Sequence, residues 1–159
     1  MRALSLPRYN PPVYAVILED DPLRVAPMRD VLSTLLPTVH IVAFDAIPPF
    51  RDFLHRHCHE TVLLSLDCDL TRPCPDVPPD LRGDGRDAAT LLADYPPFCP
   101  VIVHSSNYNL VPFMLERLRA ADWHTTLVTP CSDPEYAWVE TEWKATVAKL
   151  LDTGWIQFA

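Results

Sequence analysis

The segment Val62-Leu63-Leu64-Ser65-Leu66-Asp67-Cys68-Asp69 decides the fold of this chain. Its first five residues form a short apolar run, typical of a strand covered on both faces, and the run ends in two acids. Two other apolar runs also end in polar residues: 16–18 in Glu19-Asp20-Asp21, and 101–103 in His104-Ser105-Ser106-Asn107. The carboxyl ends of parallel strands meet at one edge of an open sheet, where α/β proteins bind ligands. The sequence therefore predicts one shared site.

Strands and helices alternate along the rest of the chain. Apolar runs predict five strands, at residues 13–18, 40–44, 62–66, 101–103 and 125–128. Helical spacing predicts helices at 22–36, around 50–54, at 87–95 and 110–121, and from Ser132-Asp133-Pro134-Glu135 to Gly154. With right-handed crossovers, this order predicts an α/β fold, a three-layer flavodoxin-like (βα)5 sandwich whose parallel five-stranded sheet has the order 2-1-3-4-5. We expect residues 1–12 to be an irregular leader and 13–159 a single domain.

Composition limits the classes of function. A chain of 159 residues that is 48% hydrophobic can bury a substantial core. Its net charge of −8 argues against wrapping duplex DNA, although a small basic patch could still accept one phosphate or a nucleic-acid end. The sequence has no run of 18 apolar residues and no secretory signal, so we expect no membrane span. Five cysteines without a C-x-x-C pair indicate reduced thiols and a cytoplasmic protein.

Three carboxylates are candidate ligands of a divalent cation, Mg²⁺ or Mn²⁺. Asp20, Asp21 and Asp67 converge at the predicted sheet edge, and carboxylate oxygens are the ligands that such hard cations prefer. An alternative for Asp21 is that it caps the helix that begins at Pro22. For Asp67 and Asp69 the alternative is a solvated strand end without function.

The residues after the fourth strand suggest phosphate chemistry. His104 could act as general acid or base, or could simply be a structural hydrogen-bonding residue. Ser105, Ser106 and Asn107 precede a helix, where hydroxyls and free amides bind phosphate or cap the helix. Arg24, one turn into the first helix, could reach the same anion.

These residues resemble receiver domains, from the first strand to the last helix. A receiver has two acids after strand 1, an acceptor aspartate after strand 3, a hydroxyl after strand 4 and Lys-Pro after strand 5. Asp20 and Asp21 match the acids, Asp67 matches the acceptor and Ser105 the hydroxyl. Thr129-Pro130 stands where Lys-Pro would be, so the lysine that normally pairs with the phosphoryl group is missing. The resemblance implies a CheY-like fold.

The pattern resembles more closely a divergent branch, the cyclic-phosphate processing receiver domain. The matching segments are Leu18-Glu19-Asp20-Asp21, Leu66-Asp67-Cys68-Asp69-Leu70, Asp84-Gly85-Arg86-Asp87 and His104-Ser105-Ser106-Asn107. This resemblance implies metal-dependent hydrolysis of cyclic phosphates on nucleotides or nucleic-acid ends. In that hypothesis His104 exchanges the proton, Ser105 and Asn107 hold the phosphate, and Asp69 orients His104 or a metal-bound water.

Two other functions stay open. One is an atypical response-regulator receiver that is phosphorylated on Asp67. The other is a non-catalytic module that binds a protein partner, or a second copy of the chain, through the fourth helix and fifth strand.

Two other features attract attention. The loop at residues 71–85 is long for a strand-to-helix connection, and is a candidate lid. His55-Arg56-His57-Cys58-His59 looks like a metal cluster, but its spacing does not match structural zinc sites, and histidines are also favoured at a helix C-terminus.

Overall fold

The computed structural model describes residues 11–130 and 136–158. Its centre is a parallel sheet of five strands: β1 (Tyr14–Leu18), β2 (His40–Phe44), β3 (Thr61–Leu66), β4 (Val101–His104) and β5 (Thr125–Val128). The strand order is β2-β1-β3-β4-β5, with every pair parallel. The predicted fold class and strand order are confirmed.

Five helices cover the two faces of the sheet. They are α1 (Pro22–Leu35), α2 (Ile47–His57), α3 (Gly85–Ala93), α4 (Val111–Ala120) and α5 (Lys144–Asp152), and a π-helical segment, Val139–Trp143, leads into α5. One apolar cluster joins the sheet to α2, α3 and α4, and the other joins it to α1 and α5. These are the three predicted layers. No helix in the described part of the chain is long and apolar enough to cross a membrane.

The alternation of side chains along each strand decides which polar residues face which layer. Ile17 and Ile102 belong to the cluster on the α1/α5 side. Two residues further on, Glu19 follows the end of β1 and His104 ends β4, and Ser65 is on β3, which lies between these two strands. Alternation therefore directs all three polar side chains toward the α1/α5 layer.

Capping hydrogen bonds fix the first residues of α1 and α3, which lie beside the polar strand ends. The Leu23 amide donates to Asp21 Oδ1 at 3.0 Å, so Asp21 is the N-cap of α1. Helix α3 begins at Gly85, two residues earlier than predicted, because Asp84 and Asp87 form a capping box. The Arg86 amide donates to Asp84 Oδ1 at 2.8 Å, and the Asp84 amide donates to Asp87 Oδ2 at 2.9 Å.

The C-terminal part of the domain is held by tryptophans. Trp138 and Trp143 are completely buried in the core. Gly154, with a φ of 76°, follows the end of α5, in agreement with its predicted role. The predicted helix start at 132–135, and most of the predicted leader, lie outside the described residues.

Candidate functional site

A polar cavity lies at the carboxyl edge of the sheet, where the sequence placed the site. Its volume is about 220 Å³. We call it the acidic pocket; its lining residues are Asp20, Asp21, Arg24, Asp67, Asp69, Thr71, Arg72, Ser105 and Ser106. Most of the residues predicted from separate strand ends therefore meet in one place.

The carboxylates suited to a cation are not quite the predicted three. Glu19, Asp20 and Asp67 each offer an oxygen, and these oxygens lie within 4.8 Å of one another. Asp21 instead caps α1, and its Oδ2 lies 2.9 Å from an Arg72 nitrogen. Sequence reasoning therefore missed Glu19 as a member of this group.

Three clustered carboxylates fit Mg²⁺ or Mn²⁺, which take oxygen ligands and retain water. Within residues 11–130 and 136–158, this is the one such group of three or more potential ligands. The histidine cluster at 55–59 forms other contacts: His57 pairs with Glu60, and His55 contacts Tyr95.

Asp67 is the electrostatic centre of the pocket. Burial raises the pKa of its carboxyl to about 7, and the charge of Glu19 works in the same direction. The Cys68 amide donates to Asp67 Oδ1 at 2.7 Å, which partly offsets that increase. A carboxylate in this position gains from a nearby cation, because the cation relieves both burial and repulsion.

The two other carboxylates of the group differ in environment. Burial raises the pKa of Asp20, while the Arg72 amide donates to its Oδ2 at 2.5 Å. Burial also acts to raise the pKa of Glu19, but the hydrogen bond with His104, the Asp21 amide and the charge of Arg24 together lower it. Glu19 is thus a stable anion; it does not line the acidic pocket, and its buried carboxylate lies at the base, beside the carboxylates of Asp20 and Asp67.

Arg24 supplies positive charge inside the pocket. Its guanidinium lies 3.6 Å from Glu19 Oε2, and 3.9 Å from both Asp67 Oδ2 and Asp21 Oδ2. Its Nε is buried without a hydrogen-bond partner. Arg24 therefore has donor capacity that its carboxylate neighbours do not use.

The segment after β4 divides into two parts. Ser105 and Ser106 line the acidic pocket, as predicted. Asn107 does not line it: its Nδ2 donates to both carboxylate oxygens of Asp69, at 2.9 and 3.1 Å. Asn107 Oδ1 accepts the Leu110 amide at 3.1 Å, so this residue also holds the approach to α4.

His104 lies beneath the acidic pocket and does not line it. Its side chain is completely buried, with Nε2 3.2 Å from Glu19 Oε2 and Nδ1 2.8 Å from Ser65 Oγ. With both ring nitrogens occupied by protein partners, the imidazole has no free atom for a substrate. This geometry argues against the predicted role of His104 as general acid or base.

A second cavity, of about 480 Å³, adjoins the acidic pocket at Ser105. We call it the apolar groove; its other lining residues are Tyr108, Val111, Pro112, Leu115, Glu116, Arg119, Leu127 and Thr129. Thr129 is the residue that the resemblance to receivers aligns with their lysine, and it lies in the lining of this groove.

Comparison with solved structures identifies the fold. The response regulator receiver domain of Rhodospirillum rubrum is 15% identical with a TM-score of 0.59, covering 86% of this chain and 94% of that one. The phosphorylated cyanobacterial phytochrome response regulator RcpA is 14% identical with a TM-score of 0.62, covering 94% and 97%. The non-phosphorylated receiver domain of Escherichia coli RcsB is 20% identical with a TM-score of 0.58, covering 91% and 95%.

At these identities the likeness shows the fold alone: the chain has the fold of response-regulator receiver domains. No protein-family model matches the sequence, and the comparison with curated proteins finds no match.

Proposed function

We propose that this chain is an atypical receiver module whose acidic pocket binds a divalent cation and whose Asp67 accepts a phosphoryl group. The observation that carries the proposal is the placement of Asp67 beside Glu19 and Asp20, with the three carboxylates within 4.8 Å at the carboxyl edge of a receiver fold. One of the matched regulators is itself phosphorylated.

In this proposal Arg24 takes over the role of the missing lysine. A bound cation would neutralise phosphoryl oxygens, and the Arg24 guanidinium and the Ser105 hydroxyl, which belong to residues lining the pocket, would donate hydrogen bonds to them. An Asp67 oxygen attacks the phosphorus of a small phosphodonor, the bond to the leaving group breaks, and the leaving group departs with the electron pair. The product is an acyl phosphate on Asp67.

Phosphorylation is tested by intact mass after treatment with acetyl phosphate and Mg²⁺. We expect wild type to gain the mass of one phosphoryl group and Asp67→Asn to gain none, because an amide oxygen is a poor nucleophile. Asp30→Asn is the matched control and keeps the gain, since Asp30 is exposed on α1 and does not line the pocket. Lack of a gain in wild type, or an equal gain in Asp67→Asn, contradicts the proposal.

A second candidate is the hydrolysis of cyclic phosphates on nucleotides or nucleic-acid ends. The observation that favours it is the junction at Ser105, where the polar pocket meets an apolar groove large enough for a nucleoside. The burial of His104 counts against it, because this hypothesis assigns proton transfer to His104. Hydrolysis of a 2′,3′-cyclic nucleotide to the nucleoside monophosphate, with Mn²⁺ present, would favour this candidate if Asp67→Asn does not catalyse it.

The same groove also suits a protein partner or a second copy of the chain. Two of its lining residues, Tyr108 and Leu127, are exposed, Tyr108 to 81%. A non-catalytic binding module would use this face without any cation. Calorimetry that detects no divalent cation in wild type would favour this function over both others.

A further inference from the structure

A chain of buried polar side chains leads from the acidic pocket into the α1/α5 layer. It runs from Glu19 through His104 and Ser65 to Trp143, and none of these residues is more than 2% exposed. His104 Nε2 lies 3.2 Å from Glu19 Oε2, and His104 Nδ1 lies 2.8 Å from Ser65 Oγ. Trp143 Nε1 donates to Ser65 Oγ at 2.9 Å.

The numbers of donors and acceptors leave only one direction for each hydrogen bond in this series of side chains. An indole nitrogen can only donate, so Ser65 Oγ accepts from Trp143. The hydroxyl hydrogen of Ser65 then has His104 Nδ1 as its acceptor, which places the imidazole hydrogen on Nε2. Nε2 donates to Glu19, so the indole nitrogen of Trp143, the hydroxyl of Ser65 and both ring nitrogens of His104 all have partners. The opposite arrangement at Nδ1 would leave the Ser65 hydroxyl hydrogen without an acceptor.

The surrounding packing restrains this series of buried polar side chains. The Trp138 ring stacks on His104, with ring centroids 5.8 Å apart and an interplanar angle of 23°. Both tryptophans are completely buried, and Trp143 ends the π-helical segment Val139–Trp143. π-Helical segments are rare in proteins overall, and those that occur often lie at functional sites.

We propose that His104 is a positioning residue that fixes the Glu19 carboxylate at the base of the acidic pocket, and that Ser65 links this carboxylate to the indole of Trp143. A change at Glu19 alters the hydrogen bond from His104 and, through Ser65, the environment of Trp143 Nε1. The carboxylate end of the pocket is thereby coupled to the segment that leads into α5. This link needs no bound cation; only the cation measurement described below rests on the proposed function.

The link is tested without metal by the indole ¹H–¹⁵N signals of the tryptophans, each assigned by a Trp→Phe variant. Glu19→Gln is expected to move the Trp143 signal and to leave the Trp123 and Trp155 signals in place. When Ser65→Ala is also present, Glu19→Gln is expected to leave the Trp143 signal where it is in Ser65→Ala alone. If the Trp143 signal does not move in the Glu19→Gln single variant, the proposal is wrong, and this result does not require Ser65→Ala to fold. If Glu19→Gln moves the signal equally with Ser65 present and with Ser65→Ala, the proposal is also wrong.

The positioning role is tested by Mg²⁺ titration of two variants. His104→Gln retains a donor for Glu19, so we expect an affinity within about threefold of wild type; His104→Leu removes the donor, and we expect an affinity about tenfold weaker. Equal affinities in the two variants contradict positioning by a hydrogen bond. If wild type binds no Mg²⁺, the proposed function fails, whereas the metal-free measurement still decides the link.

Discussion

Gly85→Ala is expected to destabilise the fold by about 3 kcal/mol, at the upper end of the cost of overpacking. An added Cβ would lie 2.5 Å from Met114 Sδ, 2.7 Å from Cys68 Cα and 2.8 Å from the Asp67 carbonyl oxygen. Two of these three atoms are backbone atoms beside the acidic pocket, so they cannot move away as a flexible side chain can. For a domain of this size the melting temperature should fall by about 6–12 °C.

Gly154→Ala is the matched control. Gly154 has a φ of 76°, but its added Cβ would meet only Gln157 Nε2, at 3.7 Å. Its cost is therefore limited to backbone strain, about 1–2 kcal/mol. Denaturant unfolding of both variants measures the difference, and a Gly85→Ala loss no larger than that of Gly154→Ala would show that the close approach of α3 to Asp67 is relaxed at little cost.

Asp67→Asn is expected to stabilise the metal-free protein at pH 8, by on the order of 2–4 kcal/mol. Burial raises the pKa of Asp67 to about 7 in the folded state, against an ordinary value of 3.8. Between these two values the folded state holds a proton that the unfolded state has released, so stability falls as pH rises from about 4 to 7. Above pH 7 the whole penalty is present, and an uncharged isostere removes it.

The measurement is urea unfolding at several pH values with chelator present. Wild type should lose stability between pH 5 and 8 more steeply than Asp67→Asn. Asp30→Asn is the control, since Asp30 is exposed in the middle of α1 and its replacement should leave the pH dependence of wild type unchanged. A destabilised Asp67→Asn at pH 8 would mean that the negative charge of Asp67 is already balanced in the metal-free protein.

The fold could be predicted because its signals are local and repeated. Short apolar runs ending in acids, separated by helical spacing, left a parallel sheet with right-handed crossovers as the consistent arrangement. Boundaries were less predictable: α3 begins at Gly85 because of the capping box of Asp84 and Asp87, which spacing alone did not reveal. The π-helical form of Val139–Trp143 has no sequence signature that distinguishes it from an α-helix.

The meeting of most predicted residues in one pocket also has a physical reason, because polar residues follow three neighbouring strands of one parallel sheet. Glu19, Asp20 and Asp21 are consecutive, and which of them groups with Asp67 depends on where the strand ends and the helix cap begins. Pro22 made Asp21 a favourable cap, and the cap removed it from the group of carboxylates. Alternation from Ile17 to Glu19 was the signal that could have identified the missing member.

The burial of His104 follows from the same alternation. Ile102 faces the α1/α5 layer, so His104 faces it as well, next to Ser65 on the neighbouring strand. A histidine at a strand end suggested chemistry because its neighbours in sequence are polar, but in space Glu19 and Ser65 occupy both ring nitrogens and Trp138 stacks on the ring. Function at a sheet edge depends on the direction of a side chain as well as on its position.

The central claim is that Glu19, Asp20 and Asp67 form a divalent-cation site, and calorimetric titration with Mg²⁺ at pH 8 tests it most directly. We predict one Mg²⁺ per chain in wild type and in Asp30→Asn, with the affinity of Asp67→Asn reduced about 100-fold or more, because a ligand carboxylate has been removed. Absence of binding in wild type, or binding to Asp67→Asn as tight as to wild type, would contradict the claim.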